Sequence, residues 1–396
     1  MKNFEYYTPT KVFFGKDEEK RVGEILASYG AKNVFVLYGG GSAVRSGLLA
    51  RVEQSLTDAG LQHVSFGGVH PNPLLSHTYK AMEAAKEANI DFILAVGGGS
   101  VIDEAKAIGM GLCYEGDVWD IYMRKAVLQR TIPVGSILTI AAAGSETSWA
   151  SVITNEKGWL KLGYQNDIIR PVFAIMNPEL LYTLPPYQMA CGNTDMIMHV
   201  LERFFSPDAE DDLTDSLAAS LIRNVMKNAA IVNKDKTNYK ANFEIMWAGS
   251  LAHNGLFEGG NGKGDWGTHH IEMEISAIFD VAHGAGLAAV WPSWARYVLP
   301  KHPARFAALA RLLFDITESD DTKAALEGIS RMETFFQSID MPISLTELGV
   351  QPTEEQYWEM ARKCTKGDTK KEGAFGQLTA EDIYKIYKMA EYKIAE

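Results

Sequence analysis

Read by the alternation of apolar and polar positions, the chain changes character near residue 185. Before that point, short apolar runs of strand length alternate with stretches whose apolar residues recur at helical spacing. The runs at 33–38 and 91–96 each stop at glycines, and 48–59 and 74–88 carry the helical pattern between them. That order predicts βαβ units around a parallel sheet, with further strands at 131–134 and 172–176. After Pro185 and Pro186 the strand-like runs cease, and helices are predicted over 188–205, 213–232, 243–257, 304–316, 323–338 and 380–395. The expected fold is an α/β, Rossmann-like domain over 1–184 followed by an all-helical domain over 185–396.

Length agrees with this division, because 396 residues exceed what one hydrophobic core usually covers. A cleft between two domains is also where small ligands commonly bind. The formal charge of -12, with no stripe of Lys or Arg, excludes nucleic acid and anionic membranes as partners. No stretch reaches the roughly 18 apolar residues of a membrane span, and the first ten residues lack the apolar centre of a signal peptide. Cys113, Cys191 and Cys364 are too far apart for a zinc knuckle and read as buried free thiols in a reducing compartment. A cytoplasmic protein is expected.

The run at 91–96 feeds into Gly97, Gly98, Gly99 and Ser100, and a helix opens through Val101, Asp103 and Lys106. A glycine turn between strand and helix lets backbone N–H groups approach a pyrophosphate, and the helix dipole favours the anion. The same tetrapeptide follows the run at 33–38 as Gly39, Gly40, Gly41 and Ser42. No acidic side chain stands there to bond a ribose 2′-hydroxyl and repel a 2′-phosphate. Ser42 and Arg45 therefore favour NADP, with NAD as the alternative, although Arg45 reads equally as a solvated helix residue.

Chemistry of another kind gathers in the second half. Asp195 and His199, four residues apart in a helical pattern, share one helix face and can approach a common ion. His269, His270 and His283 are three of the nine histidines. On one straight helix His269 and His283 would be about 21 Å apart at about 1.5 Å per residue, so two ligands there require a turn between them, placed at 278–282. Imidazoles and a carboxylate without thiolate suit Fe(II), Zn(II) or Ni(II). The glycine-rich stretch at 258–267 is a loop beside this region, either a lid or a plain connection.

These features occur together with PTKVFFG at 9–15, YGGGS at 38–42, PNP at 71–73, GGGSVIDEAK at 97–106, AGSE at 143–146, KLG at 161–163, GNTD at 192–195 and HG at 283–284. In that order they resemble the iron-containing, or group III, alcohol dehydrogenase family, most closely its butanol dehydrogenase and broad aldehyde reductase branch. The resemblance implies a dinucleotide-binding first domain and a metal-carrying helical second domain, as in dehydroquinate synthase-like architectures, in a homodimer or higher homo-oligomer. Carried over by position, Asp195, His199, His269 and His283 are the metal ligands. Gly39, Gly40, Ser42, Asn72, Gly97, Gly98, Gly99, Ser100, Asp103, Thr139, Ser145 and Lys161 fall at cofactor positions, with Lys161 and Asp103 beside the chemistry. Gly39 stands where NAD-preferring relatives tend to have Asp, which again points to NADP.

The chain departs from the family at Met273, where many relatives carry a second histidine four residues after the third ligand, and at Ala143 and Ser148. His270 points about 100° away on a helix and replaces that histidine only in part. The implied activity is interconversion of small primary alcohols, such as butanol, and aldehydes by hydride transfer. Two alternatives stand beside it. One is a metal- and NAD-dependent cyclase or lyase of the dehydroquinate synthase type, which the apolar stretch around Trp266, Ile271 and Met273 disfavours; the other is an inactive assembly module.

Overall fold

The computed structural model describes residues 2–207 and 212–392. The chain divides into two compact units, one of Tyr7–Leu184 and one running from Pro185 onward together with the described residues up to Tyr6.

The first unit is built on strands β1 (Lys11–Phe14), β2 (Asn33–Gly39), β3 (Gln62–Val69), β4 (Phe92–Gly97), β5 (Val134–Leu138) and β8 (Phe173–Met176), all parallel, in the order β1-β8-β5-β4-β2-β3. Helices α1 (Val22–Ser28), α2 (Ser42–Arg45), α3 (Leu48–Asp58), α4 (Leu75–Glu87), α5 (Gly99–Leu112) and α6 (Val118–Tyr122) accompany them. A separate antiparallel hairpin, β6 (Ala150–Asn155) and β7 (Leu160–Gln165), precedes β8. Strand β4 is buried at every residue, as befits a central parallel strand. The chain leaves β2 for β3 on one side and β4 for β5 on the other. The switch point of the sheet therefore lies between β2 and β4, and both glycine turns follow the carboxyl ends of these two strands, where ligands of such sheets bind.

The second unit contains α7 (Pro186–Phe204), α8 (Asp212–Val232), α9 (Tyr239–Ala252), α10 (Gly267–Phe279), α11 (His283–Val298), α12 (Pro303–Phe314), α13 (Asp321–Ser338), α14 (Leu345–Leu348), α15 (Glu354–Cys364) and α16 (Ala380–Ala390). No strand occurs among its described residues beyond an isolated bridge between Glu372 and Leu378. Helix α7 is buried from Met189 to Phe204, with its ionisable residues Asp195, His199, Glu202 and Arg203 inside. Such burial of polar side chains is rare unless they are paired or bind a ligand.

Several expectations need correction. The strand expected at 131–134 lies at Val134–Leu138, because Pro133 cannot donate to a ladder; its carbonyl instead accepts from Ile93 N–H at 3.0 Å. The helix expected over 243–257 begins at Tyr239, where the Asn238 side chain caps it by accepting from Ala241 N–H, and ends at Ala252, ahead of Gly255 at φ +102°. The last predicted helix ends at Ala390, and residues 393–396 of that prediction lie outside the described residues. Of the thiols, Cys191 and Cys364 are buried, but Cys113 is only part-buried; all three are unpaired. None of the described helices is long and apolar enough to cross a membrane.

Candidate functional site

In the second unit α7 carries Asp195 and His199 one turn apart, α10 supplies His269 near its start, and His283 opens α11. The turn between the last two is tight: α10 stops at Phe279, Asp280 adopts φ +50°, and α11 begins at His283. Gly284 lets α11 close on α7, since a Cβ at that position would lie 2.0 Å from the Cys191 carbonyl oxygen.

Three imidazoles converge on one carboxylate oxygen. Asp195 Oδ1 lies 3.5 Å from His199 Nδ1, 3.7 Å from His269 Nε2 and 3.7 Å from His283 Nε2. These separations are long for hydrogen bonds. They match the roughly 3.4 Å between neighbouring ligand atoms around an ion with bonds of about 2.0–2.1 Å. Asp195 Oδ1, His199 Nδ1 and His269 Nε2 are also buried without a hydrogen-bond partner, a costly condition that a cation at their centre relieves. Asp195, His199 and His269, whose ligand atoms all lie within 4.8 Å of one another, therefore fit a divalent metal ion, and His283 Nε2 stands beside them at 3.7 Å from Asp195 Oδ1. Only His283 is appreciably exposed, at 28 % of its side chain, so the cluster is reachable from its side.

The electrostatics suit the same occupant. Burial opposes the charge of Asp195, yet the neighbouring His199, His269 and His283 hold its carboxyl well below the usual range. Burial, with His253, His269 and Arg203 adding to it, outweighs Asp195 and keeps His199 neutral, the form that ligates. His269 is also penalised by burial, but Asp195 and Glu202 prevail and raise it to about 9. The site thus demands positive charge at that point, from a proton or from an ion that displaces it.

Two carboxylates set the rings. Glu202 Oε1 accepts from both the backbone N–H and Nδ1 of His269, each at 2.9 Å. Glu272 Oε2 bonds Nδ1 of His283. Each bond turns the opposite nitrogen, Nε2, toward Asp195. Glu272 is fully buried and lies against Gly286, where a Cβ would meet its Oε1 at 2.6 Å. Sequence reading singled out neither glutamate; the only available signal was the placement of Glu202 and Glu272 three residues from His199 and His269, on helices already suspected of ligation. His253, equally unforeseen, packs against His199 with ring centroids 4.2 Å apart and planes inclined by 45°. Trp266, at φ +64°, lies 5.9, 5.6 and 5.0 Å from the rings of His199, His253 and His269, and 4.8 Å from the Arg203 guanidinium.

His270 faces elsewhere, with Nδ1 bonded to Glu372 Oε1 at 2.5 Å. Met273 is half-buried on the same helix. Ile271, counted above as part of an apolar site lining, is fully buried with its carbonyl accepting from Tyr387, so it belongs to the helical core.

In the first unit the expected cofactor residues gather at the carboxyl ends of β2–β5. Gly39 and Gly97 end β2 and β4; Gly40, Ser42, Gly98, Gly99 and Ser100 form the following turns and helix starts; Thr139 follows β5 and donates its N–H to Gly97 O at 3.0 Å. Asn72, at φ +56°, follows β3 and accepts from Lys161 Nζ at 2.8 Å. Asp103 is occupied on both oxygens, by Ser145 Oγ at 2.5 Å and Val152 N–H at 2.9 Å.

Comparison with known proteins agrees with this architecture. Residues 9–178 match the family model of iron-containing alcohol dehydrogenase, and residues 189–391 match that of the C-terminal domain of the Fe-containing alcohol dehydrogenase family. The chain belongs to the iron-containing alcohol dehydrogenase family. It is 40% identical over 390 residues to the probable NADH-dependent butanol dehydrogenase 1 of Bacillus subtilis, covering 98% of this chain and 99% of that one. To the NADPH-dependent aldehyde reductase YqhD of Escherichia coli it is 31% identical, covering 88% and 90%. The crystal structure of NADH-dependent butanol dehydrogenase A from Thermotoga maritima superposes with a TM-score of 0.95 at 35% identity, covering 99% of each chain.

Proposed function

We propose that this chain is an NAD(P)H-dependent, metal-containing alcohol dehydrogenase and aldehyde reductase that interconverts small primary alcohols, butanol-like in size, with their aldehydes. The observation that carries the reading is the convergence of three imidazoles on Asp195 Oδ1. Asp195, His199, His269 and His283 would hold one divalent ion, Fe(II) or Zn(II) before Ni(II). When bound, the ion supplies Lewis acidity that polarises the substrate C–O bond. A reduced nicotinamide bound at the glycine turns would supply the hydride for the carbonyl carbon, with solvent the source of the proton that completes the alcohol.

The chain's own groups hold the reactants. Glu202 and Glu272 orient His269 and His283, while the turns at Gly97–Ser100 and Gly39–Ser42 receive the dinucleotide phosphates. Lys161, tethered to Asn72, would serve as a cofactor contact, and Asp103, with both oxygens engaged, as a bracket for the Ser145 loop. NADP(H) is favoured over NAD(H), because Gly39 offers no carboxylate to repel a 2′-phosphate and Arg45 Nη1 lies 3.1 Å from where a Gly41 Cβ would be. Both kinds of cofactor occur in the names of the relatives, so the choice is open to direct test. The unpaired cysteines support a reducing, cytoplasmic setting, and at least a homodimer is expected.

The deciding experiment reloads metal-depleted protein with Fe(II) or Zn(II) and follows oxidation of NADPH and of NADH with butanal. Metal-dependent turnover with a higher kcat/KM for NADPH is the expected result. Stoichiometric metal without turnover on any short aldehyde would overturn the activity, and turnover restricted to NADH would overturn the cofactor preference alone.

A further inference from the structure

Lys106 is the last residue of the GGGSVIDEAK run and takes no part in the proposed reaction. Its side chain has no solvent exposure. Burying an ammonium is expensive unless its protons find acceptors. Here Nζ donates among four oxygens: Ser145 O at 2.7 Å, Ser145 Oγ at 2.9 Å, Ser148 O at 3.1 Å and Ala150 O at 2.7 Å. Three of these are backbone carbonyls in or just after the irregular segment that joins β5 to β6, whose buried polar groups have no ladder to join. Ser145 Oγ donates its own hydrogen bond to Asp103 Oδ1, so Lys106, Ser145 and Asp103 form a chain of contacts along one side of α5.

The same segment walls the glycine turn. A Cβ on Gly98 would meet Ile140 side-chain carbons at 3.1 Å, and one on Gly99 would meet Ala143 Cβ at 3.2 Å. Ile140–Ala143 thus lies directly against the turn at one end, and two residues further on it is tied to α5 by Lys106. Burial also pushes the Lys106 ammonium down to about 8, so its charge weakens the fold at neutral pH. A residue whose charge carries such a penalty is better explained by what it positions.

We propose that Lys106 is a positioning residue for the dinucleotide: by fixing Ser145–Ala150 it holds the Ile140–Ala143 wall against the phosphate-binding turn Gly97–Ser100. The inference rests on the reading of that turn as the dinucleotide site. It assigns Lys106 no contact with the reacting atoms.

The test uses the full chain and three forms: unaltered, Lys106→Met and Ser145→Ala. Dissociation constants for NADH and for NADPH are measured by calorimetry, together with metal content and thermal unfolding. Lys106→Met is expected to weaken both dinucleotides by about tenfold or more, the equivalent of about 1.4 kcal/mol, with bound metal unchanged. Ser145→Ala, which removes one of the four acceptors, is expected to weaken them less. A purely structural role would lower the melting temperature and leave both constants, measured well below it, where they were; that result overturns the proposal. Should Lys106→Met fail to fold, unchanged constants in Ser145→Ala overturn it instead. Failure of the unaltered chain to bind either dinucleotide would remove the site reading itself, an outcome distinct from equal binding by all three forms.

Discussion

Glu272 bonds Nδ1 of His283 across the turn between α10 and α11, and the opposite ring nitrogen of that histidine lies 3.7 Å from Asp195 Oδ1. A carboxylate in this position fixes both the tautomer and the tilt of a ligating ring. Glu272→Gln should therefore weaken metal binding by about 10- to 100-fold while leaving the helices intact. Competition with a chromogenic chelator measures the change; an unaltered affinity would show that the ring is held by other contacts.

In the proposed reading His283 is the fourth ligand of the ion. His283→Ala should lose tight metal binding and, with it, turnover. Full metal content and near-normal turnover in that variant would sink the ligand assignment.

Gly284 marks where α11 meets α7. With the Cys191 carbonyl oxygen 2.0 Å from the site of a Cβ, Gly284→Ala forces backbone apart and not a flexible side chain. Overpacking of this kind costs about 1–3 kcal/mol or more. The melting temperature should fall, and metal affinity should fall with it because the displaced helix carries His283.

The first half of the fold was legible where the chain is most apolar: β2 and β4 announce themselves as continuous buried runs ending in glycine. Strand β3 escaped notice because QHVSFGGV mixes polar residues and glycines into an edge position. The β6–β7 hairpin is similarly polar and half-exposed. At the candidate site, Asp195 and His199 could be found by spacing, since one helix brings them together. Glu202 reaches His269 over 67 positions of sequence, and Lys106 reaches Ser145 over 39. Contacts made by packing one element on another leave no periodic trace, so side chains that position others were invisible until the fold was known.

Lys106 also predicts a pH dependence of stability. Its folded value of about 8 lies below the ordinary 10.5, so between these limits the unfolded chain keeps a proton that the folded chain has released. Stability contributed by this group therefore rises with pH across the window, by up to a few kcal/mol. Chemical denaturation from pH 7.5 to 10 should show a steeper upward trend, or a shallower decline, in the unaltered protein than in Lys106→Met. Parallel profiles would contradict the burial of a charged lysine.

Gly39 offers a test of cofactor choice. A Cβ there meets nothing closer than 3.6 Å, so Gly39→Asp is sterically admissible. The new carboxylate should favour a ribose 2′-hydroxyl over a 2′-phosphate and shift the NADPH-to-NADH ratio of kcat/KM toward NADH by about tenfold or more. Steady-state rates with each cofactor decide it, and an unchanged ratio would place the 2′-position elsewhere.

Trp266 stands within 6 Å of three imidazole rings at the candidate metal site and is held there by its own backbone conformation and by a bond from Nε1 to Lys263 O. An indole so placed is a built-in optical probe. A paramagnetic ion such as Fe(II) bound there would be expected to quench its emission, and closed-shell Zn(II) to change mainly its polar surroundings. Because the chain has eight tryptophans, the difference in emission between the unaltered protein and Trp266→Phe isolates this indole, and with it a label-free signal of the site filling.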